Sequence, residues 1–324
     1  MAGSGEHIKA LVRSHASGDE DSFYAVASQI AARAARQGHN RLASDLKRTI
    51  DASRRAPVAT KGSVTSLAQP RGDLADLVTA SYPSVGLRDL VGPSPLLGQV
   101  HRVIAEQRQR HRLQERGFAP AHRLLLEGPP GTGKTLTASV LAHELSLPLL
   151  TVRLESLLSK FLGETASKLR TVFDAVESQR AVYLFDEFDA LGGDRSGNDV
   201  GEARRILNSF LVFLENTGPE SLVVAATNHR AILDRALFRR FDLVITYGLP
   251  DHEHATAVMQ ARLGPLAKHV DWQLVIELVD GLSHAELVQA AETAAKQALM
   301  RDDEHVTAAD LVDALRVRQT ASRA

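Results

Sequence analysis

The sequence GPPGTGKT, residues 128 to 135, gives the strongest indication of how this chain folds. It follows a short apolar run, Leu124 to Leu126, which predicts a strand, and it opens a helical pattern through Leu136 and Leu141. Glycines let the backbone turn tightly enough for successive amide groups to point at phosphate oxygens, and the helix N-terminus adds its positive end. Because the full motif stands at a strand-to-helix junction, it predicts a phosphate-binding P-loop rather than a glycine-rich turn that only connects the two elements.

A second apolar run, Ala181 to Phe185, ends in two adjacent carboxylates. In such sheets ligands bind beyond the carboxyl ends of the strands, so we expect these carboxylates to lie beside the P-loop. Asp186 is expected to hold the Mg²⁺ shell and Glu187 to orient and polarise the attacking water, because one carboxylate cannot serve as both metal ligand and base. The alternative is an acidic turn with Asp189 as a helix cap, and the P-loop upstream favours the catalytic interpretation.

The side chains of the P-loop have separate expected tasks. Lys134 is expected to reach the β- and γ-phosphates of a nucleotide, and the Thr135 hydroxyl to ligate Mg²⁺ together with Asp186. The predicted nucleotide-binding residues are Pro130, Gly131, Thr132, Gly133, Lys134, Thr135, Leu136 and Asp186.

Further polar residues follow or precede later apolar runs. Asn228 comes just after the run Leu222 to Ala226, where it is expected either to help position the attacking water or to start a turn. Arg239 and Arg240 stand just before the run Leu243 to Tyr247. Ordinary surface charge is the usual explanation for such arginines, so their spacing alone does not assign them a catalytic role.

Apolar runs alternate with helical patterns over residues 123–247. The alternation predicts an α/β P-loop NTPase fold, with a parallel five-stranded sheet and helices on both faces. After Pro250 the pattern is helical, and capping-box signatures begin at Ser283 and Thr307. The predicted boundaries are 1–56 for a small N-terminal helical domain that binds a substrate or partner, 57–84 for a linker, 85–250 for the α/β nucleotide-binding domain and 251–324 for a C-terminal helical lid domain.

Composition excludes several classes of function. A formal net charge of -1 over 324 residues gives no whole-molecule electrostatic reason to expect nucleic acid as a partner. The chain has no cysteine, which excludes disulfides, thiolate metal sites and cysteine nucleophiles and fits a reducing compartment. No apolar stretch has the length of a membrane span or of a signal-peptide core. We therefore expect a cytoplasmic protein without a membrane partner.

The stretch SKFLGETASKLRTVF, residues 159 to 173, allows two interpretations. It places Phe161 and Leu162 before Gly163-Glu164-Thr165, which is expected to form a turn at the end of a helix. The apolar residues at helical spacing are Leu154, Leu157, Leu158 and Phe161. By periodicity alone, Phe161 is expected to pack in the core.

The motifs GPPGTGKT, LFDEFD, ATN and ALFRRFD, in this order, resemble those of the AAA ATPases. The resemblance runs from about Gly86 to Leu315 and is strongest to the ring-forming unfoldases and remodellers, a clade that includes the katanin, spastin and membrane-anchored AAA protease families. It implies ATP and Mg²⁺ as ligands, ATP hydrolysis, and a homo-oligomeric ring, expected to be a hexamer. It also implies that Phe161 and Leu162 belong to a pore loop that grips a threaded polypeptide, which reverses the core interpretation.

The same resemblance implies roles for the later motifs. Asn228 corresponds to the first sensor, and Arg239 and Arg240 to fingers that reach the γ-phosphate of the neighbouring subunit. The family separates its two arginines by two residues, whereas here they are adjacent, so which one contacts phosphate stays open. In the lid, the family's Ser-Gly-Ala-Asp is replaced by Ser283-His284-Ala285-Glu286, and no lid arginine is evident at the sensor position of other AAA branches.

The favoured hypothesis is an ATP-driven motor that unfolds, threads or remodels a protein substrate. The alternative is an ATP-dependent regulator or loader that acts on a partner enzyme or nucleic-acid complex without threading. A self-contained zinc protease is disfavoured, because the chain has no H-E-x-x-H motif and His252-Glu253-His254 has the wrong spacing. Any proteolysis then requires a separate protease as partner.

Overall fold

The structure is a computed structural model, and it describes residues 70, 72–157, 162–192, 200–229 and 235–323. The chain divides into two compact units, Met1–Leu67 and Ala68–Ala324. The first unit contains the predicted N-terminal domain and lies outside the described residues, so that domain and its boundaries stay predictions. The second unit carries the sheet and the lid.

The described strands are β1 (Val78–Ser81), β2 (Arg123–Glu127), β3 (Leu149–Val152), β4 (Val182–Phe185), β5 (Leu222–Thr227) and β6 (Leu243–Thr246). They form one sheet in the order β1-β3-β4-β5-β2-β6. Strand β1 pairs antiparallel with β3, and the other pairs are parallel. Because β2, β5 and β4 are neighbours, the loops that follow them meet at one edge of the sheet.

The described α-helices are α1 (Asp73–Leu77), α2 (Ser94–Arg108), α3 (Arg110–Gln114), α4 (Lys134–Glu144), α5 (Leu154–Leu157), α6 (Leu162–Ser178), α7 (Val200–Glu215), α8 (Arg235–Phe238), α9 (His252–Leu263), α10 (His284–Met300) and α11 (Ala308–Arg323). Short 3-10 helices occupy Leu87–Asp89, Phe188–Gly192, Gly264–Ala267, Trp272–Leu274 and Ile276–Leu278. Helices α6 and α7 pack on one face of the sheet, and α2 and α4 pack on the other.

The central strands are apolar because both faces of the sheet are covered. Along β2, Leu125 points into one core while Leu124 and Leu126 point into the other. Along β4, Tyr183 and Leu184 divide between the two cores in the same way, and all five side chains are fully buried. This alternation explains why strands of a parallel sheet appear in the sequence as continuous apolar runs.

A third core lies in the lid, where apolar side chains of α9, α10 and α11 pack together. Both predicted capping boxes are confirmed at the starts of its helices. The Ser283 amide donates to the Glu286 carboxylate at 2.7 Å, and the Glu286 amide donates to Ser283 Oγ at 3.3 Å. Thr307 and Asp310 exchange the same pair of bonds at 2.9 and 3.3 Å. The lid therefore begins its helices where the sequence predicts them.

The sheet has one strand more than the sequence predicts. The five predicted parallel strands are present, and β1 joins them as an antiparallel edge. Helix α1 and strand β1 lie in residues 57–84, so the interpretation of that whole segment as a linker is wrong for residues 73–81. Within β1, whose sequence is Val-Thr-Ala-Ser, Val78 is the one buried residue. A short edge strand of this kind has no apolar run by which to recognise it.

The predicted turn at Gly163 to Thr165 is also wrong, because these residues form the first turn of α6. Thr165 and Leu169, one turn further on, are fully buried. Their burial against the neighbouring elements outweighs the low helix propensity of Gly163.

Candidate active site

The loops after β2, β4 and β5 line one cavity of about 830 Å³. The cavity contains residues 130–136 of the P-loop, Asp186 and Glu187 after β4, and Asn228 after β5. The structure thus brings together every predicted nucleotide-binding residue with two of the predicted catalytic residues. Residues of the lid helices α9 and α10 also line this cavity.

Lys134 lies at the start of α4 and is buried. Its ammonium group donates to the carbonyl oxygens of Gly128 at 2.8 Å and Pro129 at 2.7 Å. Burial lowers the pKa of this ammonium group, whereas the carboxylates of Asp186 and Asp189 oppose that shift. A buried cation held by carbonyl groups alone is well suited to receive an anionic ligand.

The lid contacts the P-loop directly at Gly131. The Ala285 amide donates to the Gly131 carbonyl oxygen at 3.0 Å. Gly131 has a φ of +72°, and a Cβ atom there would lie 2.7 Å from Ser283 Oγ and 3.0 Å from Ala285 Cβ. Only glycine allows this approach, so the P-loop and the lid form one continuous site.

Replacing Gly131 with alanine is expected to weaken ADP binding by roughly tenfold or more, since the new methyl group displaces the lid and the left-handed backbone becomes strained. Calorimetric titration with ADP measures the change. Gly98→Ala is the matched control, because a Cβ atom at Gly98, within α2, meets nothing within 4 Å. That control should bind ADP normally, and a Gly131→Ala protein with unchanged ADP affinity would contradict the described contact.

Thr135 and Asp186 are joined across the cavity edge, where Thr135 Oγ1 donates to Asp186 Oδ2 at 2.6 Å. A hydroxyl and a carboxylate oxygen are the kinds of ligand that Mg²⁺ takes in nucleotide sites. The donor set at this edge therefore fits a magnesium ion that accompanies bound phosphates.

Glu187 has an unusual backbone. Its φ of 50° lies in the left-handed region, which costs a residue with a side chain roughly 1–2 kcal/mol. Hydrogen bonds hold it there, from the Glu187 amide to Asp186 Oδ1 at 3.0 Å and from the Ala190 amide to the Glu187 carbonyl oxygen at 2.8 Å. Glu187 is exposed and lines the cavity. Strained backbone of this kind concentrates at functional sites.

Asp189 connects the two strand ends, a role that the sequence did not reveal. Its Oδ1 accepts hydrogen bonds from Thr227 Oγ1 at 2.9 Å and from the Asn228 amide at 3.3 Å. The carboxylate thereby fixes Asn228 relative to Asp186 and Glu187. The sequence indicates no more than a helix cap at Asp189, because the pairing of β4 with β5 is not visible in the chain order.

The lid contributes charged residues that sequence analysis also missed. Arg262 on α9 and Glu292 on α10 both line the cavity, and Arg262 donates to Glu292 Oε1 from Nε at 2.8 Å and from Nη2 at 2.7 Å. Arg262 is thus a lid arginine at the cavity, but its guanidinium group is already paired.

Comparison with known proteins identifies the family. The model of the ATPase family associated with various cellular activities (AAA) matches residues 124–249. The protein named uncharacterized AAA family ATPase y4kL, from Sinorhizobium fredii, is 32% identical over 313 residues, which are 96% of this chain and 94% of that protein. The chain belongs to the AAA family of ATPases. It therefore binds nucleotide and hydrolyses ATP.

Other AAA proteins are similar over smaller shares of their length. The ATP-dependent zinc metalloprotease FtsH of Helicobacter felis is 33% identical over 258 residues, which are 75% of this chain and 40% of that protein. Among solved structures, the crystal structure of the FIGL-1 AAA domain has a TM-score of 0.61 and 26% identity, over 79% of this chain and 92% of that one. The chain thus spans less than half of that FtsH protein.

In this AAA chain the two adjacent arginines have different surroundings. Arg240 forms an ion pair with Glu215 at the end of α7. The Arg239 side chain is exposed and forms no ion pair or hydrogen bond with any residue that the structure describes. Neither arginine is among the described residues that line the cavity. The structure therefore does not place these two predicted catalytic residues beside the others of the same chain.

The segment that carries Arg239 is firmly attached. Leu237 and Phe241, on either side of it, are buried. Asp242 accepts hydrogen bonds from the amides of His122 at 3.0 Å and Arg123 at 2.9 Å, and from the Arg123 side chain. Burial raises the pKa of Asp242, but these hydrogen bonds outweigh burial and hold the pKa below its usual range. The exposed Arg239 therefore lies in a segment that burial and hydrogen bonds attach to the rest of the domain.

The predicted pore loop is not placed. Phe161 lies outside the described residues, and Leu162 is the first residue of α6, with its side chain outside the description. The structure describes no helix long and apolar enough to cross a membrane. In the part of the chain that it describes, no group of three or more His, Cys, Asp or Glu side chains is arranged to hold a metal ion.

Proposed function

We propose that this AAA chain is an ATP-driven motor that assembles into a ring, expected to be a hexamer, and remodels or threads a protein substrate through its central pore. The proposal is supported by the position of the predicted catalytic residues, which do not all lie in one cavity of the chain. The phosphate-binding and water-orienting residues line one cavity, while the exposed Arg239 stands outside it on an anchored segment. A neighbouring copy is then needed to supply the arginine.

Within one chain, the residues of the cavity divide the work on ATP. Lys134 and the amides of the P-loop hold the phosphates, and Thr135 and Asp186 hold Mg²⁺, which supplies charge neutralisation when bound. Glu187 orients the attacking water and accepts its proton. Asn228, fixed by Asp189, positions the same water.

The arginine comes from the next subunit. In-line phosphoryl transfer develops charge that an added cation stabilises, and the lid arginine, Arg262, is already paired with Glu292. Of the two adjacent arginines, Arg240 is engaged by Glu215 within its own chain. We therefore assign the finger role to Arg239 and a role in bracing the segment to Arg240.

Phe161 and Leu162 are proposed to grip the polypeptide, and the helices of residues 1–56 to recruit the substrate or a partner. The similarity to FtsH supports a protein substrate, because FtsH is named as an ATP-dependent protease. Any proteolysis linked to this motor is assigned to a separate protease or effector partner. The cytoplasmic location and the absence of nucleic acid among the partners remain predictions.

Phe161→Ala is expected to leave the melting temperature and ATPase activity close to those of the unaltered chain, and to abolish processing of the protein substrate. Thermal melting and ATPase assays need no knowledge of that substrate. The matched control is Leu157→Ala, because Leu157 stands four residues earlier in the same apolar sequence pattern and is fully buried. It should lose about 2–5 kcal/mol of stability.

A Phe161→Ala protein that melts as early as Leu157→Ala would place Phe161 in the core, where loss of a phenylalanine costs about 3–5 kcal/mol. Phe161→Tyr keeps an aromatic grip and should remain largely active. Full substrate processing by Phe161→Ala would favour the regulator or loader, which acts without threading.

A further inference from the structure

Helix α10 of the lid contributes Ala285, Val288, Gln289 and Glu292 to the lining of the cavity. Their spacing of three and four residues puts them on one face of the helix. This face begins at the P-loop, because the Ala285 amide donates to the Gly131 carbonyl oxygen at 3.0 Å. Gln289 follows one helical turn later, which is roughly 6 Å along the helix axis. It therefore lies one turn beyond the phosphate end of the cavity.

Part of the cavity lining is apolar, and it includes Val258 on α9, Val288 on α10 and Val91 before α2. A flat, largely apolar ring such as a nucleotide base suits this lining, whereas the phosphates belong beside Lys134. The ribose of a nucleotide joins its base to its phosphates. A nucleotide held in this way therefore brings its ribose past the P-loop contact of the lid, to the turn of α10 that carries Gln289.

The Gln289 side chain is available to a ligand. The residue is exposed, and its carboxamide forms no hydrogen bond with any residue that the structure describes. Other polar lid side chains at the cavity are engaged or covered. Arg262 donates to Glu292 Oε1 at 2.7 Å, and both ring nitrogens of His284 are closed to solvent. Gln289 thus offers a ligand a donor and an acceptor that the described residues leave unused.

We infer that Gln289 recognises the ribose of the bound nucleotide, through hydrogen bonds between its carboxamide and the 2′- and 3′-hydroxyl groups. A hydroxyl group both donates and accepts, and a carboxamide presents an NH₂ donor beside a carbonyl acceptor. Two adjacent hydroxyl groups and one carboxamide are therefore complementary. The contact favours nucleotides that carry these hydroxyl groups over those that lack them. The inference rests on nucleotide binding alone and is independent of ring assembly and threading.

Calorimetric titration of the Gln289→Met protein with ADP and with 2′,3′-dideoxy-ADP tests the inference without hydrolysis. Methionine is an unbranched side chain of similar length, so it keeps the apolar contacts of Gln289 and removes the carboxamide. We expect the Kd for ADP to rise about three- to tenfold, the range that one lost hydrogen bond produces. The Kd for dideoxy-ADP, which has neither hydroxyl group, should stay unchanged.

Two further variants complete the test. Gln289→Glu keeps acceptors for both hydroxyl groups and should still bind ADP more tightly than dideoxy-ADP. Gln260 is an exposed glutamine of lid helix α9 that does not line the nucleotide cavity, so Gln260→Met should bind both nucleotides normally. Unchanged ADP affinity in Gln289→Met would overturn the inference. Equal weakening of ADP and dideoxy-ADP would also overturn it, since the effect would then be on the base or the phosphates rather than on the ribose.

Discussion

Replacing Arg239 with alanine is expected to reduce the kcat for ATP hydrolysis by about 10³- to 10⁵-fold, the usual contribution of an arginine finger. ADP and ATP affinity should change little, because Arg239 does not line the cavity of its own chain. The loss follows from uncompensated charge on the transferring phosphoryl group in the neighbour's site. Steady-state ATPase rates and calorimetric titrations separate the two effects.

Arg240→Ala is the matched control, since it removes the same charge from the adjacent position. Arg240 is already paired with Glu215, so Arg240→Ala should lower the melting temperature. Its kcat should fall much less than that of Arg239→Ala. Glu215→Ala should lower the melting temperature in the same way, because it removes the same ion pair while both arginines are kept. A larger loss of kcat in Arg240→Ala than in Arg239→Ala would show that the finger has been assigned to the wrong residue.

Replacing Glu187 with glutamine is expected to reduce kcat by about 10²- to 10⁴-fold while nucleotide binding persists, because a glutamine of nearly the same shape cannot accept the proton of the attacking water. Lys134→Ala should instead lose nucleotide binding, since it removes the buried cation of the phosphate cradle. Titration with ATP distinguishes the two proteins. Near-normal hydrolysis by Glu187→Gln would show that another group is the base.

The left-handed backbone of Glu187 allows two variants whose melting temperatures show whether lost activity comes from misfolding. Glutamine occupies the same left-handed conformation as glutamate, so Glu187→Gln should melt at the temperature of the unaltered chain. Glu187→Gly is expected to remove hydrolysis as well and to be no less stable, because glycine adopts a φ of 50° without strain. A much lower melting temperature in either protein would make its lost activity a folding defect.

The sequence predicts the parts of the site that short motifs and strand ends determine. The P-loop needs a strand before it and a helix after it, and β2 and α4 provide them. Asp186 and Asn228 follow apolar strands whose carboxyl ends meet in a parallel sheet, so the sequence pattern indicates their proximity. These contacts depend on local structure and on one rule of topology.

Other contacts depend on residues far apart in the chain. Asp189 joins Thr227 only because β4 pairs with β5, and Gly131 meets Ala285 only because the lid closes onto the P-loop. No local pattern marks such pairs. The edge strand β1 is missed for a different reason, since it is short, only partly buried and set in a polar segment.

For the adjacent arginines, the structure adds a contact that the spacing of the motif does not contain. Sequence comparison with the family gives each arginine one matching feature, so the motif alone does not choose between them. The proposed assignment rests on Glu215, which pairs with Arg240 from a helix that ends well before the motif. Which residue pairs with a surface charge depends on the tertiary structure, so the spacing within ALFRRFD does not reveal it.

Mixing the Arg239→Ala protein with the Glu187→Gln protein shows whether a neighbouring subunit completes the ATPase site. Each protein alone should have almost no ATPase activity. In mixed rings, the first protein offers an intact cavity and the second an intact finger, so activity should return as the subunits exchange. Fluorescence transfer between labelled subunits confirms the mixing. No return of ATPase activity in rings shown to be mixed, or full activity of a monomer of the unaltered chain, would contradict a site completed by the neighbouring subunit.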